Sequence, residues 1–401
     1  MKKTMILILA VVLCVALLAS CTAAPSASSA SAPASSAAAS ATAAESASAA
    51  AATSAAPASA TGTIKLGYVG TLTAQDPASQ ALLNVNKQTA EALGAEWITY
   101  DTFDYTPDGL VTAVQTLISQ HVQAIEFYNV ADQVLPSVQK LLDAANIPFI
   151  INAPVGADAI KTLSQDPLFL GTVYEENLKS SETLVQKMAS LGVKNMIILS
   201  VPQGNQYAAE RDIGIANAVK ETGIKVLKTY TSGSITADEV TKNVQDAIAA
   251  FPEMDGIFIE ASYTPLITPA VVKVLQSQNL TEKVKLGGYD HGNAADYIGK
   301  ELSFISVSAQ PSKEACATSI LINSVKGIYK PVAGQPAALR ASSLYFDNAT
   351  DFALYAKNVE DPSKPIFSQD YLKQNLGNAA TAADYQKFCD SYTFDYIKTL
   401  G

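Results

Sequence analysis

Short runs rich in β-branched and aromatic residues alternate with longer amphipathic segments from residue 64 onward. The short runs predict strands at Ile64–Val69, Trp97–Tyr100, Ala124–Tyr128, Pro148–Ile151, Met196–Val201, Val226–Tyr230, Gly256–Ile259, Val284–Gly288 and Phe304–Ala309. The longer segments place apolar residues at helical spacing, as in Leu110, Val111, Val114, Leu117 and Ile118. Each such set forms one apolar stripe, which is typical of a helix that packs on a sheet.

This alternation predicts parallel sheets that are covered by helices on both faces, the α/β class. One sheet that contained every predicted strand would be unusually wide, so we expect two doubly wound sheets and therefore two lobes. In such sheets, ligands bind at the carboxyl ends of the strands, in the loops that lead to helices. These loops are therefore the places where binding residues are expected.

The N-terminal segment has a different composition and predicts an export signal followed by a tether. After a basic start, the apolar run Met5–Leu18 is too short for a membrane span and fits a secretory signal. The run ends in Leu18-Ala19-Ser20-Cys21, which resembles the bacterial lipobox. Residues 1–20 are therefore predicted to be a lipoprotein signal peptide, with Cys21 as the lipidation site; the alternative is an ordinary signal peptide in which Cys21 has no role. Residues 21–62 are almost entirely Ala, Ser, Thr and Pro and predict a disordered tether.

Composition and charge exclude several classes of function. The 401-residue chain is 48% hydrophobic and 16% charged, and its formal net charge is −10. An acidic chain without a basic stripe is a poor candidate for nucleic-acid binding. Only two His and four Cys occur, which argues against a zinc site and against Cys/His catalysis. No G-x-S-x-G, H-E-x-x-H or C-x-x-C motif occurs, so we expect no enzyme, no metal site and no cofactor.

Six segments follow one another in an order that is informative when they are taken together. They are the first strand with its Pro-containing loop and a helix that ends at Leu93-Gly94, then Ala124-Ile-Glu-Phe-Tyr-Asn129, Asn146-Ile-Pro148-Phe-Ile150, Ala209-Glu-Arg211-Asp-Ile-Gly214, Gly288-Tyr-Asp290 and Gln310-Pro311. This order resembles the type 1 periplasmic binding proteins, the ribose- and galactose-binding group. The resemblance covers residues 63–345.

The resemblance implies the periplasmic binding protein-like I fold, in which two doubly wound lobes are joined by a hinge. It places lobe 1 at residues 63–172 and 310–340 and lobe 2 at residues 173–309. A C-terminal crossover and extension follow at 341–401. This tail is longer than is usual in that family, and its many aromatic residues predict that it packs against the body of the protein.

The resemblance also implies a function. It indicates an extracytoplasmic solute-binding lipoprotein on the outer face of the cell membrane, which closes its two lobes on a sugar or sugar-like polyol and delivers it to an ABC permease. A monomer is expected. Two alternatives stay open: a sensory protein of the same fold that signals to a membrane kinase, and a binding protein for a nucleoside or an amino acid.

Polar residues at the predicted strand ends form the candidate ligand site, because amide, carboxylate and guanidinium groups hydrogen-bond to hydroxyls in pairs. The candidates are Thr73, Asp76, Asn129, Asn152, Arg211, Glu260, Asp290 and Gln310. Three of them have structural alternatives: an Asx turn for Asn129, a solvated surface side chain for Arg211 and a helix cap for Asp290.

Two further sets of residues leave alternatives open. The family's sugar-stacking rings have no counterpart in the first loop, where Ala78 and Ser79 stand. Candidate replacement rings are Phe103, Tyr128, Tyr263 and Tyr289, and the alternative for each is a place in the core. Cys316 and Cys389 either form a disulfide that pins the C-terminal tail or remain buried thiols.

Overall fold

The computed structural model describes residues 62–72, 77–200, 206–231, 236–260, 267–289, 294–307, 310–332 and 334–400. The predictions for the signal peptide, for Cys21 and for the tether before residue 62 lie outside these residues. Within them, no helix is both long enough and apolar enough to cross a bilayer.

Strands and helices alternate along most of this described part. The strands are β1 (Ile64–Val69), β2 (Ala95–Thr99), β3 (Ala124–Phe127), β4 (Phe149–Ile151), β5 (Phe169–Glu175), β6 (Asn195–Ser200), β7 (Lys225–Thr231), β8 (Gly256–Ile259), β9 (Lys285–Tyr289), β10 (Leu302–Val307), β11 (Ala337–Ala341) and β12 (Leu344–Phe346). The helices are α1 (Pro77–Ala92), α2 (Pro107–Ser119), α3 (Leu135–Ala145), α4 (Ala157–Leu163), α5 (Asn177–Ser190), α6 (Gln206–Thr222), α7 (Ala237–Ala250), α8 (Ile267–Ser277), α9 (Ala294–Tyr297), α10 (Pro311–Val325), α11 (Ala349–Val359), α12 (Gln369–Leu376), α13 (Ala382–Ser391) and α14 (Phe394–Lys398).

The predicted two-lobed architecture is confirmed, because the strands form two six-stranded sheets. The first has the order β11-β5-β4-β3-β1-β2 and the second the order β12-β10-β9-β8-β6-β7. Neighbouring strands are parallel except β10 and β12, which are antiparallel. The first sheet and its helices are called lobe 1 below, and the second sheet and its helices lobe 2.

Each sheet is buried on both faces, as a doubly wound fold requires. In β6, Met196 and Ile198 belong to the apolar core that includes residues of α5 and α6. The alternate residues Ile197 and Leu199 belong to the core on the other face, with residues of α7 and α8. This two-sided burial explains why the strands are continuous apolar runs in the sequence.

All nine predicted strands are present with small shifts at their ends, and β5, β11 and β12 were missed. β5 contains Gly171, whose φ is 135°. The backbone of Ala337 in β11 occupies the space that a Cβ atom at Gly171 would need. The glycine therefore permits the close pairing of β5 with β11, but in the sequence it interrupts an apolar run and hides the strand.

The chain crosses between the lobes at three places beside the strand ends. It passes from β5 to α5, which packs on β9 and β10 of lobe 2, and returns from β10 to α10, which packs on β3 and β5 of lobe 1. The third crossing runs from β11 to β12. The N–H of Glu176 donates to the carbonyl oxygen of Ala341 at 3.0 Å, which joins the first and third crossings.

Residues 347–400, here called the C-terminal extension, contact both lobes. Helix α11 packs on β12 and α9 of lobe 2, whereas α12 and α13 pack on α10 of lobe 1, and α14 returns to α11. Nδ2 of Asn358 donates to the carbonyl oxygen of Ile397 at 3.1 Å, which joins α11 to α14. Aromatic side chains such as Phe352, Tyr355, Phe367 and Phe388 are buried in the extension. The prediction that the tail packs on the body is therefore confirmed.

Candidate ligand-binding site

An open cavity lies where strand ends of lobe 1 face the beginning of α6 in lobe 2. Its lobe 1 wall consists of residues 128–133, which follow β3, together with Ala153 and Pro154, which follow β4. Gln206 and Tyr207 of α6 form the opposite wall. This is the position at which doubly wound sheets bind ligands, and residues from both lobes contribute to it.

Asn129 lines this cavity, and in the described part of the chain its side-chain nitrogen is hydrogen-bonded whereas its side-chain oxygen is not. Its Nδ2 donates to Oδ1 of Asp132 at 2.7 Å. Its Oδ1 is buried and has no hydrogen-bond partner among the residues that the structure describes. The Asx turn considered for Asn129 needs that oxygen as an acceptor of a nearby backbone N–H, so it is not formed among these residues. A buried unsatisfied acceptor beside a cavity is a position for a ligand donor.

Asp132 organises the same wall, although the sequence did not single it out. Besides accepting from Asn129, its Oδ2 accepts from the N–H of Gly156 at 2.9 Å. The same oxygen accepts from Nε2 of Gln206 at 3.3 Å, across the cleft. Asp132 therefore orients Asn129 and joins the two lobes.

Two tyrosine rings face each other across the cavity. The rings of Tyr128 in lobe 1 and Tyr207 in lobe 2 have centroids 6.2 Å apart and planes within 10° of parallel. Tyr174 meets Tyr207 edge-on at 6.3 Å. Of the predicted replacement rings that the structure describes, only Tyr128 is among the residues that line the cavity. Phe103 packs on Tyr105 instead, Tyr289 is buried, and Tyr263 lies outside the described residues.

Arg211 is buried in lobe 2 and not a solvated surface residue, so that alternative is wrong. Its Nε donates to Oδ1 of Asn177 at 3.1 Å and its Nη1 to the backbone oxygen of Glu260 at 3.1 Å. Its guanidinium carbon lies 3.8 Å from the ring centroid of Tyr289. These contacts fix the guanidinium beside the ends of β8 and β9, where a cation–π contact stabilises the buried charge.

Glu260 follows β8 and its side chain is fully buried. Burial disfavours the carboxylate and raises the pKa of Glu260 to about 7, while Ser200 and Arg211 lower the pKa by less. The side chain therefore exchanges a proton near neutral pH. In its neutral form it is a hydrogen-bond donor as well as an acceptor.

Asn152 belongs to a buried group of polar residues beneath the strand ends of lobe 1, here called the lobe 1 polar cluster: Glu126, Asn152, Glu175, Lys313 and Glu314. Nδ2 of Asn152 donates to Oε1 of Glu126 at 2.6 Å and lies 3.3 Å from Oε1 of Glu314. Burial, and then the nearby Glu314, raises the pKa of Glu126 well above its usual range. Asn152 thus bridges two carboxyl groups in this structure.

Gln310 stands at the second lobe crossing and is fully buried. Its Nε2 donates to the backbone oxygen of Val307 at 2.6 Å. Its Oε1 has no partner among the described residues. The remaining candidates, Thr73, Asp76 and Asp290, lie outside the described residues.

Sequence reasoning missed Gln206, Tyr207, Lys313 and Glu314 as well as Asp132. For Lys313 and Glu314 the sequence did contain a signal. Lys313 and Glu314 are two adjacent charged residues at the start of a helix that is otherwise small or apolar, and α10 is buried along most of its length. Tyr207 gave no such signal, because its role depends on the opposite lobe.

The proton of Glu260 makes stability depend on pH. The pKa of Glu260 is about 7 in the folded state and 4.5 for an ordinary solvated glutamate, so between these values the folded protein holds a proton that the unfolded chain has lost. The free energy of unfolding should therefore fall as pH rises through this window, by up to about 3 kcal/mol at about 1.4 kcal/mol per pKa unit. Glu260→Gln should remove this contribution to the dependence of the free energy of unfolding on pH.

Urea unfolding of wild type and Glu260→Gln between pH 4.5 and 8 measures the difference. The exposed Glu253→Gln is the matched control and should keep the wild-type slope. Equal slopes for wild type and Glu260→Gln would contradict the assigned protonation.

Comparison with known proteins agrees with this architecture. The sequence profile of the periplasmic binding protein domain matches residues 67–318. No curated protein matches the sequence significantly. Similar solved structures include an ABC transporter periplasmic solute-binding protein from Actinobacillus succinogenes with bound D-allose, at 17% identity and a TM-score of 0.60, covering 71% of this chain and 97% of that chain.

Two further similar structures are ABC transporter solute-binding proteins. The one from Clostridium phytofermentas with bound L-rhamnose has 18% identity and a TM-score of 0.59, covering 74% of this chain and 99% of that chain. The one from Bacillus halodurans with bound myo-inositol has 16% identity and a TM-score of 0.60, covering 75% and 99%. At these identities the likeness shows a shared fold. Because the family profile matches more than half of its length, the chain belongs to the periplasmic binding protein family.

Proposed function

We propose that the protein is an extracytoplasmic solute-binding lipoprotein that binds a sugar or sugar-like polyol and delivers it to an ABC importer. The observation that carries this proposal is the cavity between the lobes, with an unsatisfied amide oxygen on Asn129 and parallel tyrosine rings on opposite walls. The bound D-allose, L-rhamnose and myo-inositol of structures with the same fold support the ligand class.

The chemistry of the site favours hydroxyl-bearing ligands. Buried side-chain oxygens on Asn129 and Gln310 lack partners among the described residues, and both are hydrogen-bond acceptors. A sugar hydroxyl donates to such an oxygen, and the apolar C–H face of the sugar fits against an aromatic ring. Tyr128 and Tyr207 supply such rings, so they take the role that the absent first-loop aromatics have in the family.

The remaining candidates complete the proposed site. Thr73, Asp76 and Asp290 are proposed as further hydroxyl-binding groups on the basis of the family resemblance and of their places after strands. Arg211 and Glu260 are proposed to form the lobe 2 side, since both are buried beside the ends of β8 and β9. Asn152 contributes through the lobe 1 polar cluster.

Closure of the lobes is part of the proposal. The chain crosses between the lobes at three places, and the contacts of Tyr128 with Tyr207 and of Asp132 with Gln206 lie between the lobes. These contacts separate if the lobes open, and a ligand between them is enclosed when the lobes close. The permease would recognise the closed form, and the protein would act as a monomer.

A thermal-shift screen tests the ligand class. Residues 62–401 are mixed with D-allose, L-rhamnose, D-arabinose and myo-inositol, and with adenosine and L-leucine as ligands of other classes. A ligand at a hundredfold excess over its Kd adds about 2.7 kcal/mol of stability, which raises the melting temperature by several degrees. A shift with adenosine or L-leucine alone would contradict the sugar assignment.

Asn129→Ala should weaken binding of the sugar that the screen identifies by about fivefold to tenfold. It removes an acceptor whose hydrogen bond is worth about 1–1.5 kcal/mol, and about 1.4 kcal/mol is tenfold in affinity. Asn375→Ala, on the exposed side of α12, is the matched control and should bind as wild type. Calorimetric titration measures both variants, and an unchanged Kd for Asn129→Ala would remove Asn129 from the site.

Cys21→Ala tests the proposed lipid anchor. The Leu-Ala-Ser-Cys order predicts that Cys21 is lipidated and holds the protein on the membrane. The variant should therefore appear in the medium or keep the mass of the unprocessed chain, whereas wild type should fractionate with membranes. Membrane fractionation and mass equal to wild type in the variant would be the contrary result.

A further inference from the structure

Two cysteines lie side by side where the C-terminal extension meets lobe 1. Cys316 is on α10 and Cys389 is on α13, and their residues are 0% and 2% exposed. Both are free thiols, and their Sγ atoms are 3.4 Å apart. Neither residue belongs to the ligand site, so the pair needs an explanation of its own.

The surroundings hold the two sulfurs in this position. Sγ of Cys316 is 3.4 Å from the backbone oxygen of Tyr385, and Sγ of Cys389 is 4.0 Å from the backbone oxygen of Ser312. A disulfide bond is about 2.05 Å long, so the sulfurs need to approach by about 1.4 Å. The helices α10 and α13 that carry the two cysteines are already packed together, so no new contact between elements is needed for the sulfurs to meet.

We infer that Cys316 and Cys389 become joined by a disulfide when the chain folds outside the cytoplasm, and that this bond fastens the C-terminal extension to lobe 1. The family is extracytoplasmic, and disulfides form and persist in such compartments. The oxidant required is a disulfide of another molecule. One cysteine thiolate attacks it and forms a mixed disulfide, and the second thiolate displaces the remaining thiol. Two protein thiols are thereby oxidised to one disulfide, and the donor is reduced to two thiols.

The position of the bond gives it a mechanical consequence. The extension touches lobe 2 through α11 and lobe 1 through α12 and α13. A covalent bond between α13 and α10 fixes its lobe 1 end, so movement of the lobes must be taken up elsewhere, at the contact of α11 with α14 or in the segment between α11 and α12. The bond also closes a loop of 389 − 316 = 73 residues, which restricts the unfolded chain.

Burial of Cys316 and Cys389 limits the stage at which the disulfide can form. Both sulfurs are shielded from solvent, and burial raises the pKa of the Cys316 thiol well above its usual range. Exchange needs an accessible thiolate, so a folded, reduced protein should react slowly. The bond should therefore form during folding, before α13 docks on α10.

The test uses the full chain, unfolded and reduced, then refolded with a mixture of oxidised and reduced glutathione or with dithiothreitol. Free thiols are alkylated in denaturant with iodoacetamide, and peptides are mapped by mass. In the glutathione sample we expect a linked Cys316–Cys389 peptide and no alkylation at either residue. The dithiothreitol sample should be alkylated at both, and adding oxidised glutathione to it after folding should produce the linked peptide far more slowly.

Melting curves provide the second measurement. The oxidised protein should melt roughly 3–8 °C above the reduced protein. The double variant Cys316→Ala/Cys389→Ala keeps Cys14 and Cys21 and is the matched control; its melting temperature should not respond to reductant, whatever its starting stability. Alkylation of both residues after oxidative refolding of wild type would overturn the inference, as would a linked peptide that joins either residue to a different cysteine.

Discussion

The positive charge of Lys313 can be buried only because two carboxylates accompany it. Its Nζ lies 2.7 Å from Oε1 of Glu175 and 3.2 Å from Oε1 of Glu314. Burial by itself lowers the pKa of Lys313, but the two carboxylates raise the pKa by more than burial lowers it. The side chain therefore remains cationic. An unpaired buried charge costs several kcal/mol. Since Glu175 ends β5 just before the first lobe crossing and Lys313 follows the second, the pair holds two hinge segments together on lobe 1.

The same constraint shapes the rest of the lobe 1 polar cluster. Three carboxyl groups share one lysine. Burial and the nearby Glu314 raise the pKa of Glu126, which favours its neutral form and so reduces the excess negative charge. Asn152 donates to both of these carboxyl groups and so fixes their separation. Lobe 2 handles its buried cation differently, because Arg211 lies over the ring of Tyr289 and donates to neutral oxygens. In both lobes, the buried cations Lys313 and Arg211 are thus fixed by contacts within the protein itself.

Local patterns in the sequence predict the fold well and the site only in part. Alternating apolar runs gave nine strands and the two lobes, because both sheets are buried on both faces and leave a strong signal. Asn129 was predicted as a ligand-binding residue because a polar side chain directly after a strand is a local feature. The structure places it on the cavity wall, and its binding role stays a prediction. Tyr207 was missed because its partner is Tyr128 of lobe 1, and Asp132 was missed because it accepts from Gln206 of lobe 2. No local pattern in the sequence connects residues of opposite lobes. The packing of the extension followed from its aromatic content, but its contact with both lobes did not.

Among the residues that the structure describes, each direct contact between the lobes is weak by itself. An aromatic pair such as Tyr128 with Tyr207 is worth about 0.5–1.5 kcal/mol beyond its burial. Hydrogen bonds such as Tyr174 to Glu210, at 2.6 Å, and Gln206 to Asp132 contribute about 0.5–1.5 kcal/mol each. Their sum is a few kcal/mol and is opposed by the ordering of the side chains. If the lobes open and close as proposed, a shift from mostly open to mostly closed needs about 5.5 kcal/mol of differential binding. These contacts supply less than that, so the ligand would have to provide the difference.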